Sequence, residues 1–526
     1  MNTPIPGEKP EGAAAPAGIF DLSNADGIND SERLLMRLCR KSFLSLWAHA
    51  NLHTSQDMRD GRGSAKEFAD VLVVFGNDVI VFSDKHIEFQ HNRDLKIAWP
   101  RWFKRAITES AKQLYGAIGW LRRFPDRIFL DAACTRPLPV ELPPQDVACY
   151  HFVAVTRGCR EACLKQFPGS FGTLQIDTSV EGRTHEQRPF TIGLLDRSKP
   201  FIHVLDEFSL EVVMDEMDTI TDFLQYLNAR ESFLASSDII VRAAGEEQLI
   251  AAYILNGAGS KHAFLPDAVA PNVSGLVIFD ESHYLALIRR TDYQEKRRQD
   301  RRSGLWDEIV ERFIHLGDPT LVHPEFEQPS HDTEKALRIM AAEPRFRRHL
   351  LVETLGGMLE AAMEQPGRRR ARLFTTLEHP NLVYIFLAMP KRATENFDEY
   401  RRHRVAVLHA YCRVAKLRFP QANTFVALGI DHPARDYKQS SEDVIVFMCE
   451  EYTPEEKAEA EYFQRETGIL GDGLTMKEGY ATNFPAIPDE QSRGNQNGGN
   501  QGEALRREKK RKAKLALKAR RKNRQN

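Results

Sequence analysis

Residues 66–85 read Lys-Glu-Phe-Ala-Asp-Val-Leu-Val-Val-Phe-Gly-Asn-Asp-Val-Ile-Val-Phe-Ser-Asp-Lys, two apolar runs that each carry charge at the end away from Gly76-Asn77. Apolar side chains fill adjacent positions as well as alternate ones, Val71 beside Leu72 and Ile80 beside Val81, which suits strands covered on both faces. Gly-Asn is a hairpin-turn signal. A two-residue loop at Gly76-Asn77 pairs Phe75 with Asp78 and Asp70 with Ser83. Side chains alternate along a strand, so Asp70, Ser83 and Lys85 then share one face. A loop at Asn77-Asp78 sets Asp70 opposite Lys85 and keeps the same three together. A three-residue loop instead sets Asp70 opposite Asp84 and turns Lys85 away.

The flanks give this hairpin a context. Asn29, Asp30 and Ser31 are helix N-cap residues ahead of the periodic stretch from Glu32 to Leu38, and residues 43–47 read as a strand. After the hairpin, Trp99-Pro100-Arg101 reads as a helix start with proline in the first turn. Phe103, Ile107, Ala111, Leu114, Ile118 and Leu121 follow at helical spacing. Residues 127–130 read as one more strand.

The order helix, three strands, helix, strand, with an acid on the first helix, an acid opening the second strand and a lysine closing the third, resembles the PD-(D/E)XK nuclease superfamily. The resemblance covers residues 30–135, about a fifth of the chain. It implies a restriction-endonuclease-like α-β-β-β-α-β core and a metal-dependent nuclease acting on DNA or RNA. Asp70 would be a metal ligand, Lys85 the motif lysine, Glu32 the first-helix acid and Gln113 a polar helper on the following helix. The second acid belongs two residues before the lysine, where this chain has Ser83. A hard divalent cation, Mg²⁺ or Mn²⁺, needs several oxygen ligands. The second carboxylate must therefore come from Asp84 through a bulge, or from Glu67 or Glu32. If none of these arrives, the expectation becomes a catalytically inactive scaffold that binds nucleic acid or ribosomes. Taken singly, each residue also fits an ordinary role, such as an Asp70–Lys85 ion pair or a first-turn charge at Glu32.

The net charge of -2 conceals an asymmetry. Residues 506–524 hold twelve Lys or Arg against Glu508 alone, a local +11 that leaves -13 on the rest of the chain. Arg506, Arg507, Lys509, Lys510, Arg511 and Lys512 in this tail are candidate phosphate contacts, as are Arg101, Arg105 and Lys112 beside the hairpin. A solubilising role explains the tail equally well. Residues 490–526 read as a Gly/Asn/Gln-rich linker followed by this tail, and residues 1–27, rich in Pro, Ala and Gly, as disordered.

At 526 residues and 42% hydrophobic, the chain is expected to be multidomain α/β. The nuclease-like unit at 28–135 is followed by a proline-rich boundary at 137–144, a middle α/β or α+β region at 145–316, and an α/β domain at 333–470. That last domain, with strands expected at 371–377, 382–388, 424–430 and 443–449 and a helix at 397–417, is expected to serve substrate selection, partner binding or dimerisation. No apolar stretch is long enough to span a bilayer and the start lacks a signal peptide's apolar region, so no membrane partner is expected and the expected address is cytoplasmic. Seven scattered cysteines make no disulfide framework. Residues 257–261 fail the spacing of a phosphate loop, and the arginine-rich run at 289–302 reads as a solvated helix face interrupted by acids.

Overall fold

The computed structural model describes residues 20, 22, 27–56, 65–256, 262–266, 274–316, 329–438, 440–471, 475–479, 481 and 483–484. Most of 1–27, residues 257–261 and the linker and tail at 490–526 lie outside them. Helix α1 (Asp30–Phe43) starts where the Asn29 carboxamide accepts the Glu32 amide N–H. Its buried stripe of Leu35, Met36, Cys39 and Phe43 runs to the last turn, so the helix claims residue 43 and Leu44 leaves it at φ 65°. Residues 43–47 are therefore a helix end and turn rather than the expected strand. Strand β1 (Ala48–Thr54) follows, then β2 (Lys66–Phe75) and β3 (Asp78–His86), all antiparallel neighbours.

Helix α2 (Leu95–Phe103) is capped by Asp94, whose carboxylate accepts the Lys96 N–H at 2.8 Å. It thus begins before the expected Trp99-Pro100 start, and Pro100 sits inside it. Proline has no N–H for the ladder. A π-helical turn, Lys104–Thr108, follows within the next turn before α3 (Glu109–Arg123). The expected stripe from Phe103 to Leu121 is buried.

Residues 127–130 form only a two-residue strand, β4 (Ile128–Phe129), on the far side of β1. The strand parallel to β3 is β5 (Cys149–Arg157), which the sequence places in the next region. A parallel neighbour needs a long crossover, and α2 and α3 provide it. Helix α4 (Arg160–Gln166), β6 (Gln175–Glu181) and β7 (Thr191–Leu194) lead to β8 (Ile202–Asp206), parallel to β5. The first sheet thus runs β4-β1-β2-β3-β5-β8. Residues 137–144 are a loop inside this unit, and the sheet does not stop at residue 135.

Helices α5 (Glu207–Glu216) and α6 (Ile220–Leu234) precede β9 (Ile239–Ala243), α7 (Glu246–Leu255) and β10 (Gly275–Phe279), which complete a second sheet, β10-β9-β6-β7. After α8 (Ser282–Arg289), α9 (Thr291–Leu316), α10 (Pro329–Ala341) and α11 (Arg345–Met363) comes a third. It is built from β11 (Arg370–Thr376), β12 (His379–Met389), β13 (Thr424–Asp431) and β14 (Glu442–Met448), in that order, with α12 (Phe397–Arg418) and α13 (Pro454–Thr467). The architecture is mixed α/β, as expected. One continuous buried cluster takes side chains from all three sheets, from Leu35 through Val241 to Phe386 and Leu428. Among the described residues no helix is long and apolar enough to cross a membrane.

Candidate functional site at the end of the first sheet

The β2–β3 turn has Phe75 paired with Asp78, so Gly76 and Asn77 form a two-residue loop, with Gly76 at φ 59°. The ladder pairs Val71 with Phe82. One step further sets Asp70 opposite Ser83, on one face with Lys85, as the two-residue register requires. Helix α3 covers that face: Ser83 Oγ lies 3.2 Å from Ser110 Oγ and 3.2 Å from Gln113 Oε1, its single proton shared between them. Gln113 thus reaches the strand position where the resemblance expects an acid.

Asp70 is 4% exposed, and its Oδ2 accepts the backbone N–H of Asp84 at 2.5 Å. Burial pushes its carboxyl up to about 7, against the opposing pull of that hydrogen bond and of the Lys85 charge; Glu67 and Asp84 add a smaller upward push. Lys85 is half-buried at the strand end.

Asp84 points the other way, toward α1, on the face that carries Phe82 against Phe43. Both its carboxylate oxygens accept from Arg157 Nε, at 3.0 and 3.1 Å, at the end of β5. Burial raises the Asp84 carboxyl while Arg157 opposes the rise, and the Glu32 charge adds to it. The Arg157 terminal nitrogen Nη2 is buried with no hydrogen-bond partner. Glu32 uses its own carboxylate on the start of α1, accepting from the Ile28 N–H at 2.7 Å and from the Asn29 side chain.

The five residues expected at the site therefore split. Asp70, Lys85 and, through Ser83, Gln113 share the α3 face, while Asp84 and Glu32 lie on the α1 side. The pairing of β3 with β5 is regular from Asp78 to His86 and leaves no bulge to turn Asp84 around, and the register shift in this part of the sheet lies on β2, between Ala69 and Glu67. The expected metal pair Asp70–Asp84 does not fit a divalent-cation site: one carboxylate is tied to a backbone amide and the other to a guanidinium on the opposite face. Among the described residues no three His, Cys, Asp or Glu side chains are grouped as metal ligands. Arg157 is the residue that sequence reasoning missed. Its signal, the apolar run 152–155 ending in Thr-Arg-Gly, was present, but a boundary at 137–144 separates it from the hairpin.

Arg101, Lys104 and Arg105 are exposed on the α2–α3 ridge, and Lys112 is exposed in an ion pair with Glu109 at 2.7 Å. The other candidate phosphate contacts, Arg506, Arg507, Lys509, Lys510, Arg511 and Lys512, lie outside the described residues. No family model, no curated protein and no solved structure matches this chain.

Proposed function

We propose that the chain is a nucleic-acid-binding protein built on a nuclease-like sheet that lacks a complete two-carboxylate metal centre. The observation that carries this reading is the placement of the Asp70 and Asp84 carboxylates, on β2 and β3, on opposite faces of the sheet, with Arg157 holding Asp84, Glu32 engaged at the start of α1 and Glu67 exposed at the end of β2. The sequence helix, antiparallel β1–β3, crossover helices and parallel β5 supports the resemblance to PD-(D/E)XK proteins. The exposed Arg101, Lys104 and Arg105 beside the α3 face, together with the basic tail, supply phosphate contacts that set affinity rather than sequence preference. The second reading is a Mg²⁺- or Mn²⁺-dependent nuclease. It is favoured by the convergence of Asp70, Lys85 and Gln113 on one face and by a carboxyl that titrates near neutrality, as a general base does.

Two measurements separate the readings. Labelled DNA and RNA oligonucleotides are titrated over a range of salt with the wild type, an R101A/R105A/K112A variant and a chain lacking residues 503–526. Plasmid and single-stranded substrates are then incubated with millimolar Mg²⁺ or Mn²⁺ and the wild type, Asp70→Ala or Lys85→Ala. The expected result is binding whose salt slope flattens in both binding variants, with no cleavage above that of the two site variants. Metal-dependent cleavage lost in both site variants would make the chain a nuclease. Absence of binding would remove nucleic acid as the partner.

A further inference from the structure

Helix α9 carries most of the arginine-rich run expected to be a solvated face, and Arg298, Arg301 and Arg302 are exposed as expected, while Lys296 and Arg297 are half-buried. Lys296 pairs with Asp300 at 2.7 Å, and Arg297 pairs with Asp215 and donates to the Asp215 carbonyl at 2.7 Å. Arg297, Asp215 and Asp300 of these pairs line one wall of a trough of about 420 Å³ between α9, the end of α1, the α5–α6 turn and the start of α11. That volume falls within the range of small-molecule sites. Arg345 closes the floor, donating to Asp218 at 2.7 Å and to Asp307 at 2.8 Å.

Lys41, Arg297 and Arg301 lie toward the N-terminal end of α9 among the carboxylates of Asp215, Asp218 and Asp300, which are engaged by Lys41 and Arg297, by Arg345 and by Lys296 respectively. Glu308 and Glu311 lie at the other end, Glu311 already accepting from Ser45 N–H at 2.7 Å. Arg301 and Glu308 make no ion pair or hydrogen bond among the described residues and are exposed at the rim. They stand seven residues apart on one helix, about 10 Å along its axis. Gly304 lies between them, where an added Cβ would meet nothing within 4 Å. Glycine in a helix interior costs about 1 kcal/mol relative to alanine. No positive φ and no close neighbour requires it here; its effect is to leave the middle of the trough open between one free cation and one free anion.

We propose that this trough binds an elongated zwitterion of dipeptide length, its carboxylate at Arg301 and its ammonium at Glu308, lying over Gly304. Two extended residues span about 7 Å between their charged ends. Flexible Arg and Glu side chains leaning inward cover the remainder of the spacing. A single α-amino acid is too short to meet both groups, and a lone phosphate satisfies only one end. The site is remote in sequence from the β2–β3 hairpin and does not rest on the nucleic-acid reading.

The test is calorimetric titration of the full chain with alanyl-alanine, glycyl-glycine and lysyl-glutamate, each up to about 10 mM, the weak end of measurable affinity. N-acetyl-alanyl-alanine, alanyl-alanine amide and inorganic phosphate are the single-charge controls. The expected result is saturable binding of at least one dipeptide, weakened about tenfold or more by blocking either terminus and by Arg301→Gln or Glu308→Gln. Gly304→Leu should abolish it. The two rim variants remove exposed, unpaired groups, so they keep the test sharp if Gly304→Leu fails to fold. No binding by any dipeptide, equal binding of the blocked forms, binding of phosphate alone, or affinity unchanged in the rim variants would overturn the proposal.

Discussion

Asp70 is a buried carboxyl with one backbone hydrogen bond and a lysine nearby, and burial outweighs both. Its folded-state pKa of about 7 lies above the ordinary aspartate value of 3.8. Between about pH 4 and pH 7 the folded chain keeps a proton that the unfolded chain releases, so this group's contribution to stability falls as pH rises through that window and is level above it. Asp206, fully buried at the α5 N-cap, is also pushed up to about 7 by burial and acts in the same direction. Substitution therefore has to isolate Asp70. Asp70→Asn removes the charge and keeps an oxygen for the Asp84 N–H. It is expected to stabilise the chain at pH 8 by about 1–3 kcal/mol, and by little at pH 4.5, since one pKa unit corresponds to about 1.4 kcal/mol. Urea unfolding at the two pH values checks this, and an equal effect at both would mean that Asp70 is not the group held protonated. Asp84 is buried as deeply but has Arg157. Such a pair is costly to break from one side, because the partner is left as an uncompensated charge.

At the scale of elements, the two strand ends that carry this pair are fixed by a glycine. Gly158 follows β5 at φ 94°, and a Cβ there would come within 2.5 Å of the Ile87 carbonyl oxygen. The chain leaving β3 pairs across it, Ile87 N–H to the Arg157 carbonyl at 3.2 Å and Phe89 N–H to the Gly158 carbonyl at 3.1 Å. Gly158→Ala is expected to cost about 2 kcal/mol or more through the left-handed conformation and the backbone clash. Gly116→Ala, on the exposed side of α3 with nothing within 4 Å, should instead stabilise by up to about 1 kcal/mol. Thermal midpoints of the two variants give the comparison; opposite signs are required. Three loop placements were open in advance, one of which turns Lys85 away, and the observed pairing of Phe75 with Asp78 selects the first; the Gly-Asn turn itself was readable. The partner of β3 was not, because pairing β3 with residues 149–157 closes a long loop that no local pattern reports. With β5 unplaced, Arg157 was out of view, and so was the reason Asp84 faces α1. The third sheet was legible nearly strand by strand, since its runs at 371–377, 382–388, 424–430 and 443–449 are separated by a strong helical repeat or by turns.

For the whole molecule, the expected division at 333–470 is crossed by buried packing. Trp306 of α9 is fully buried, donates its indole N–H to the Met340 carbonyl at 2.9 Å, and meets the rings of Tyr384 and Phe386 on β12 edge-on at 5.6 and 6.2 Å. The same helix reaches the first unit through Glu311, which accepts from Ser45, and α10 does so through Glu334, which accepts the Trp47 indole N–H at 2.9 Å. Helices α9 and α10 therefore clamp the third sheet to the first, and Trp306 is the largest apolar member of that clamp. Truncating a buried tryptophan to alanine costs about 3–5 kcal/mol, with the spread set by how far the site collapses. Here collapse is limited, because Arg345 and Arg348 hold the neighbouring turn of α9 by its Asp307. Trp306→Ala is expected to lower the unfolding midpoint of the third sheet and to split one calorimetric transition into two, the earlier belonging to β11–β14. The wild type should melt in a single transition, since its buried cluster is continuous across all three sheets. A wild type that already shows two transitions, with Trp306→Ala shifting neither, would mean that the third sheet folds as an independent domain, as the sequence pattern alone suggests.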